Sequence, residues 1–461
     1  MSNKYISILG VLSFVLSLGA SVYFYQERTV FLDISFHLFY ILKDQAFAIQ
    51  NYRFAAFFTQ MFPMLGDFLG LPLSSIAILY STSFVILPAI AFGVIVGVYK
   101  NYKIGAAYLI YLLLMVTHTF FWIQSELPQG MAFVFLFLAT LEYWYDAVNS
   151  AKVGVGILIL LLLVVIVFSH PLVIFPMGFA AGFYWLTYKD KKWKTVVIFS
   201  FFILIYGVKS IWFKTSYDSG ALDTISNYSF SWSEFVHLYS FKKFAQYVVS
   251  DYYLWIASLL GLVLYYTLQN DFLKLLLVLL FNVLLVSIIG ITYPNGAEQF
   301  YLENQYQLLA FFVSLPIVNV LFEKNCKQWL FVFLLVIQVA FLFRMWMVST
   351  VYQSRLNMYK DILSTTAHDQ NKKIIYSIND FPKDTLLMDW ASSYEFWLLS
   401  TMETGQTRSV IIAYQENEFD YALSNNHCVI TKWGAHDYSE FHSPYFVFAD
   451  TSKYVKKKNR M

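Results

Sequence analysis

"TVFLDISFHLFYILKDQAFAIQNYRF" runs from Thr29 to Phe54, directly after the first apolar run of the chain. It sets Asp33 and His37 four residues apart among aromatics, with Arg53 farther on. Apolar residues recur in it at helical spacing with polar ones between, which predicts an amphipathic helix. Four residues are about one turn, so the acid and the imidazole are expected on one face. "RFAAFFTQMFPMLGDFLGL" (53–71) repeats the pattern, broken by Pro63 and Gly66. Both helices are expected to lie flat on the outer leaflet, apolar face down.

Working outward, the 461 residues are 59% hydrophobic, 20% aromatic and only 13% charged. Soluble domains carry about 25% charged residues. Apolar runs recur at 5–25, 74–98, 104–123, 129–146, 153–169, 172–187, 195–213, 252–268, 272–292, 304–322 and 328–348. A helix of about 20 apolar residues crosses the roughly 30 Å of hydrocarbon. The expected fold is therefore a polytopic α-helical membrane protein with about eleven spans. The run 5–25 has no small-residue cleavage site and is read as a retained helix.

The connections sort by charge. "YKNYK" (99–103), Lys152, "YKDKKWK" (188–194), Lys274 and "EKNCKQ" (323–328) form one short, lysine-rich set. The other set, including 26–73, 124–130, 169–171, 214–251 and 292–304, is longer or uncharged. The positive-inside rule puts the first set in the cytoplasm, with the N-terminus inside and the C-terminal tail outside. All eight histidines then lie on or near the outer side, together with Asp33, Glu126, Glu298 and Glu303. Ionisable groups crowded at membrane depth tend to mark a site. Cys326 and Cys428 fall on opposite sides, which excludes a disulfide between them, and no zinc spacing is present. The net charge of +2 gives no sign of a nucleic-acid partner, and "KYVKKKNRM" (453–461) reads as a solvated end.

The expected organisation is a transmembrane module over 1–350, with its first outer loop at 26–73, and a small extracytoplasmic α/β domain over 351–461. In the tail, "DTLLMDW", "RSVIIAY", "NHCVITKW" and "YFVFAD" read as strands. "SYEFWLLSTMETG" reads as a helix closing at Gly405. There is no GxGxxG and no P-loop, so nothing points to a nucleotide.

Further candidates sit at the other outer turns. Glu126 stands beside Pro128, and His170 precedes Pro171, which predicts extended backbone there. Glu303 lies at the start of a helix, where a carboxylate also serves as a cap. Lys209 and Lys214 end the seventh span, as phosphate-facing charges or as lysines snorkelling to the interface. The loop 214–251 is long enough for a lid.

One membrane helix, a long outer loop with an early aspartate, the segment "FTQMFPMLGDFLGLPLSSIAILYS" (58–81), many further spans and a soluble outer tail follow in order. This arrangement resembles the GT-C class of integral-membrane glycosyltransferases, in particular bacterial proteins similar to dolichyl-phosphate-mannose and lipid A aminoarabinose transferases. The resemblance implies a polyprenyl-phosphate-linked sugar donor, used from the outer face of a bacterial plasma membrane. The acceptor would be a glycan, lipid or protein of the cell envelope. It implies that an early acid of the first loop acts as base, a position matched here by Asp33. The second acid usual in the class is replaced by Ile34 and Ser35. This leaves open that His37 replaces the second acid, and leaves a divalent metal as an open option. For the donor phosphate, Arg53 offers bidentate geometry.

Three other functions compete. A lipid-linked saccharide transporter or flippase would show polar positions at mid-span; here Glu142 and Gln338 are the exceptions among apolar spans. A non-catalytic envelope-assembly protein lacks any need for the second acid. A polysaccharide polymerase of another helical fold would not need the amphipathic first loop.

Overall fold

Long apolar runs leave a backbone in hydrocarbon only the helix to satisfy its N–H and C=O groups, and the chain is 75% helical. The computed structural model describes residues 4–123, 125–147, 149–228, 231–367, 373–415, 417–424, 426–441, 444–448 and 452–458. Among the described residues six helices are long and apolar enough to cross a bilayer: Lys4–Tyr23, Leu73–Val98, Lys189–Trp212, Phe272–Thr292, Gln299–Glu323 and Lys327–Thr365. The bent pair Ser233–Ser250 and Tyr253–Leu268, at 92°, makes a seventh if taken as one span.

The other expected runs form helices of different character. The run 104–123 yields only Tyr102–Leu114, followed by a 3₁₀ turn at His118–Phe120. At 1.5 Å per residue that helix is about 20 Å long, short of the hydrocarbon thickness. Lys152–Val167 and Pro171–Thr187 are also short apolar helices, separated where Pro171 cannot continue the first. Glu126–Asp146 is buried along most of its length inside the bundle.

The first loop departs from two flat surface helices. Leu32–Asp44 buries Leu32, Ile34, Leu38, Phe39, Ile41 and Leu42 almost completely. It is clamped between the bundle and the tail helix Ser392–Thr404, through rings such as Phe39 against Trp397. Its apolar residues cover too much of its circumference for one face to satisfy, so it lies between two protein layers. Phe57–Phe68 does show the expected stripe: Phe57, Met61, Leu65 and Phe68 are exposed on one side, Phe68 by 86%. That spacing places them on one helical face.

Lys327–Thr365 is one helix of 39 residues that carries the chain past residue 350 into the tail without a break. In the tail, β1 (Lys373–Ser377) is flanked by β2 (Ser409–Ala413) and β5 (Val455–Lys457), both parallel to it, and β3 (Cys428–Thr431) pairs antiparallel with β4 (Gly434–Asp437). Ser392–Thr404 ends at Gly405, whose φ of 70° is the left-handed cap glycine supplies. Three tail readings change. "DTLLMDW" holds a short helix, Lys383–Leu386, and no strand. The described part of "YFVFAD" is irregular. The basic end supplies β5, because Val455 and Tyr454 bury against the sheet. Neither cysteine is disulfide-bonded.

Glu395 ties the helix Ser392–Thr404 to the long helix Lys327–Thr365 and to the start of Leu32–Asp44. Its Oε2 accepts from Arg355 Nη2 at 2.6 Å and from the Tyr359 hydroxyl at 2.8 Å. Its Oε1 accepts from the Leu32 backbone N–H at 2.6 Å. Leu32 has φ 42°, a left-handed conformation costing a leucine about 1–2 kcal/mol. A tail side chain thus holds the residue directly before Asp33.

Candidate active site

Asp33 stands in the first turn of Leu32–Asp44 and is half-buried. Its Oδ2 accepts from the indole N–H of Trp122 at 3.0 Å. Burial pushes its carboxyl up to about 6, with the Glu126 carboxylate adding to the rise and the Trp122 hydrogen bond and Arg53 opposing it. A carboxylate held this way is a stronger base than a free one and is still ionised at neutral pH.

His37, one turn on, does not pair with Asp33. Its Nδ1 donates to the Ala48 carbonyl at 2.9 Å, and Gln60 donates to the same oxygen at 3.1 Å. A carbonyl only accepts, so the proton is on Nδ1 and Nε2 carries the lone pair. Burial pulls the imidazole below its usual range, against the pull of Glu126, so His37 is neutral.

Arg53 donates to Glu126 Oε2 at 3.3 Å and to Asp218 Oδ1 at 3.1 Å, and its guanidinium lies over Tyr217. Burial disfavours its charge, but the two carboxylates outweigh that and raise it further. Glu126 opens the helix Glu126–Asp146, where Ser125 caps by accepting from Leu127 N–H at 3.3 Å. His170 is extended (φ −157°, ψ 143°), and its Nδ1 accepts from Leu172 N–H at 3.2 Å. Burial first, then Arg53 and Lys209, drive it well below the usual histidine range, so it too is neutral, with its proton on Nε2. Lys209 donates to the Val167 carbonyl at 2.9 Å and lies within electrostatic reach of Asp218, Arg53 and Glu126.

Asp33, His37, Arg53, Glu126, His170 and Lys209, drawn from distant parts of the chain, are thus gathered into one electrostatically coupled cluster. Lys214 is exposed and forms no ion pair among the described residues. Glu303 lies elsewhere. It accepts from Thr117 N–H, Thr119 N–H, the Thr119 hydroxyl and the Tyr252 hydroxyl at 2.6–3.2 Å. With both oxygens engaged by protein donors, it fixes the turn that leads to Trp122, and it lies within Gln299–Tyr306, whose N-cap is Glu298. Among the described residues no group of three or more His, Cys, Asp or Glu is placed to hold a metal.

Three participants were not singled out from the sequence. Trp122 orients Asp33, and Asp218, from the 214–251 loop, completes the Arg53 pairing. Arg28 is the third. It lies deeply buried in Tyr25–Thr29 and donates to the hydroxyl and carbonyl of Ser81 at 2.8 and 3.0 Å and to the Phe120 carbonyl. Among the described residues its partners are all neutral, and burial alone draws it down to about 9. A guanidinium has five N–H donors, so part of its donor set stays unengaged.

Arg28 lines an apolar groove of about 880 Å³ of empty space, some of it open to the outside. Phe14, Phe84, Leu87, Leu112 and Phe341, from four different helices, form its body. Pro128 and Gln129, in the same first turns as Glu126, also line it, as does Ile123, which follows Trp122. None of the six clustered residues lines the groove itself; groove and cluster share the first turns of Glu126–Asp146.

Close helix packing keeps Glu126 and His170 together. A Cβ on Gly130 would sit 2.2 Å from Ser169 Oγ. Gly130→Ala is expected to cost about 1–3 kcal/mol through overpacking and to separate the Glu126 turn from the His170 turn. Thermal unfolding of the purified variant measures the first effect, and loss of activity at retained fold the second.

The chain matched no family model, no curated protein and no solved structure.

Proposed function

We propose that the protein is an integral-membrane glycosyltransferase of the GT-C kind. It moves a sugar from a polyprenyl-phosphate donor to an acceptor hydroxyl on the outer side of a bacterial plasma membrane, in synthesis of envelope glycan or glycolipid. The proposal includes the eleven-span topology with cytoplasmic N-terminus and extracytoplasmic tail, in which the shorter apolar helices cross together with their neighbours. One observation carries the reading: a buried acid raised to about 6 belongs to a cluster of ionisable groups that shares the first turns of Glu126–Asp146 with an apolar groove lined by an uncompensated arginine.

The chemistry divides among these residues. Asp33 takes the proton of the acceptor hydroxyl. The oxygen forms its bond to the anomeric carbon as the bond to the phosphate oxygen breaks, and the electron pair leaves on the lipid phosphate. That phosphate gains charge and needs fixed donors. Arg53 is already neutralised by Glu126 and Asp218, which suits it to orienting the site and hydroxyls of the sugar. Arg28 has no counter-charge and faces the groove that takes the isoprenoid chain, so the phosphate role falls to it. Neutral His37, with Nε2 as acceptor, stands in for the second acid as a hydrogen-bond partner of the sugar.

The test supplies purified protein in lipid nanodiscs with a radiolabelled polyprenyl-phosphate hexose. Wild type is expected to consume the donor. Arg28→Met should lower consumption by about 10²-fold or more, from loss of a charge-assisted donor at the developing oxyanion, and Arg28→Lys should retain part. Equal consumption in all three would remove Arg28 from the mechanism.

A carrier for a lipid-linked saccharide is the second reading. The same groove favours it, since Ser13 in its lining donates to Gln338, joining the first and last long helices. A carrier would bind the donor, leave it intact and not depend on Asp33.

A further inference from the structure

The helix Leu32–Asp44 leaves one stripe open. Asp33, Phe36, Tyr40 and Lys43 are its partly exposed residues in the first three turns, at spacings that place them on one face. This stripe leads from the candidate base to the tail. There Phe36 meets Trp390, ring centres 6.1 Å apart, and Trp390 meets Trp433, 6.1 Å apart at 67°. Trp433 is 69% exposed.

Both tryptophans are held in place. Trp433 sits in the tight turn between β3 and β4, where its N–H donates to Thr431 Oγ1 at 3.2 Å. Gly434 follows with φ 154°, which permits the sharp reversal. The neighbouring Lys432 donates to Asp389 Oδ2 at 2.9 Å and so ties the hairpin tip to the residue before Trp390. An exposed, pre-positioned aromatic surface binds with little loss of side-chain freedom. Neither indole N–H has a partner among the described residues, and the Asp389–Lys432 pair at the edge adds charged acceptors and donors.

We propose that this strip, from Asp33 along Phe36 and Tyr40 to Trp390 and Trp433, is the binding site for a carbohydrate acceptor built of hexose units. A pyranose ring presents a face of C–H groups that packs on an indole and a rim of hydroxyls that pair with charged side chains. Two tryptophans at a steep angle, followed by smaller rings, suit consecutive sugar units whose end reaches Asp33. The surroundings argue against a membrane seat for Trp433: Asp437, Ser439 and Glu440 are exposed on the same hairpin and its exit, and acids there oppose an anionic lipid surface. The name acceptor site rests on the transferase reading; saccharide binding itself does not.

The experiment is saturation-transfer NMR on the full-length protein in nanodiscs, with maltohexaose, laminarihexaose and chitohexaose as probes. At least one probe should receive saturation at its ring C–H protons. Trp433→Ala should cut that transfer about fivefold or more, and Trp390→Phe should cut it less. Trp433 lies at an exposed turn, so its variant is expected to melt as wild type does, and that is checked in the same sample. Brominated-lipid quenching of tryptophan emission that disappears in Trp433→Ala would mark a membrane anchor and overturn the proposal. So would absence of transfer to all three probes, or transfer unchanged in both tryptophan variants. Binding without any donor consumption would retain this site and remove the transferase reading; consumption with no saccharide contact would do the reverse.

Discussion

Asp33→Asn is expected to abolish sugar transfer and, in the same protein, to raise the melting temperature. The two effects have one cause. The carboxyl lies at about 6 because the fold buries it beside Glu126, while in an unfolded chain it titrates near 4. Folding therefore takes up a proton at intermediate pH. Stability from this group is fully present below about 4 and is lost as pH rises through about 6. At pH 7 the folded protein carries a strained charge worth about 1–3 kcal/mol, reduced from the full shift because Asp33 is only half-buried. Asparagine removes that charge and still accepts from Trp122. Thermal unfolding should show a higher midpoint at pH 7 and a smaller difference from wild type at pH 4.5. Transfer should fall by about 10²–10⁴-fold, as expected when a general base is removed. Unchanged stability with lost activity would mean that Asp33 is not tuned by burial.

The second large effect is expected at Glu395. Glu395→Gln keeps the shape of the side chain but strands Arg355 in a buried position with an amide N–H₂ turned toward it. Leaving one partner of a buried pair uncompensated costs about 3–5 kcal/mol, and Arg355 and Glu395 are buried to within 2%. The double change Arg355→Met with Glu395→Met should recover most of that loss, since buried pairs exchange for apolar side chains at little net cost. Activity should not recover with it. The Leu32 amide loses its acceptor in the double variant, and Leu32 is the left-handed residue that sets Asp33. A thermal midpoint close to wild type with transfer still well below it would identify Glu395 as a positioning residue. Full recovery of both would reduce it to a staple between tail and bundle.

Much of the cluster was legible in the sequence because polar residues at the rims of apolar runs have few reasons to be there. Asp33, His37, Arg53, Glu126, His170 and Lys209 were all visible as such exceptions. Their partners were not. The i, i+4 spacing put Asp33 and His37 on one face, but the acid found Trp122 and the imidazole found Ala48, neither of which local spacing can name. Arg28 was hidden beside Glu27 in "YQERT", where the pair looks like an ordinary solvated end. Only the fold turns Arg28 inward without its neighbour. Asp218 sat in a loop read as a lid, with no feature to separate it from Asp223. Helix lengths were misjudged where hydropathy continues through a backbone break: Met115–Phe120 remains apolar enough to read as span, yet turns into a 3₁₀ loop held by Glu303. The same limit applies to β5, one partly buried valine followed by two lysines, too few residues for a period to show.

The measurement that bears most directly on the central claim is the single-turnover release of labelled hexose from its polyprenyl phosphate, followed from pH 4.5 to 8. If Asp33 is the base, the rate rises about tenfold per pH unit on the acid side, bends near 6 and is flat above it, and the bend is absent from Asp33→Asn. A rate independent of pH across that range, or one that keeps its bend in the asparagine variant, would contradict the account.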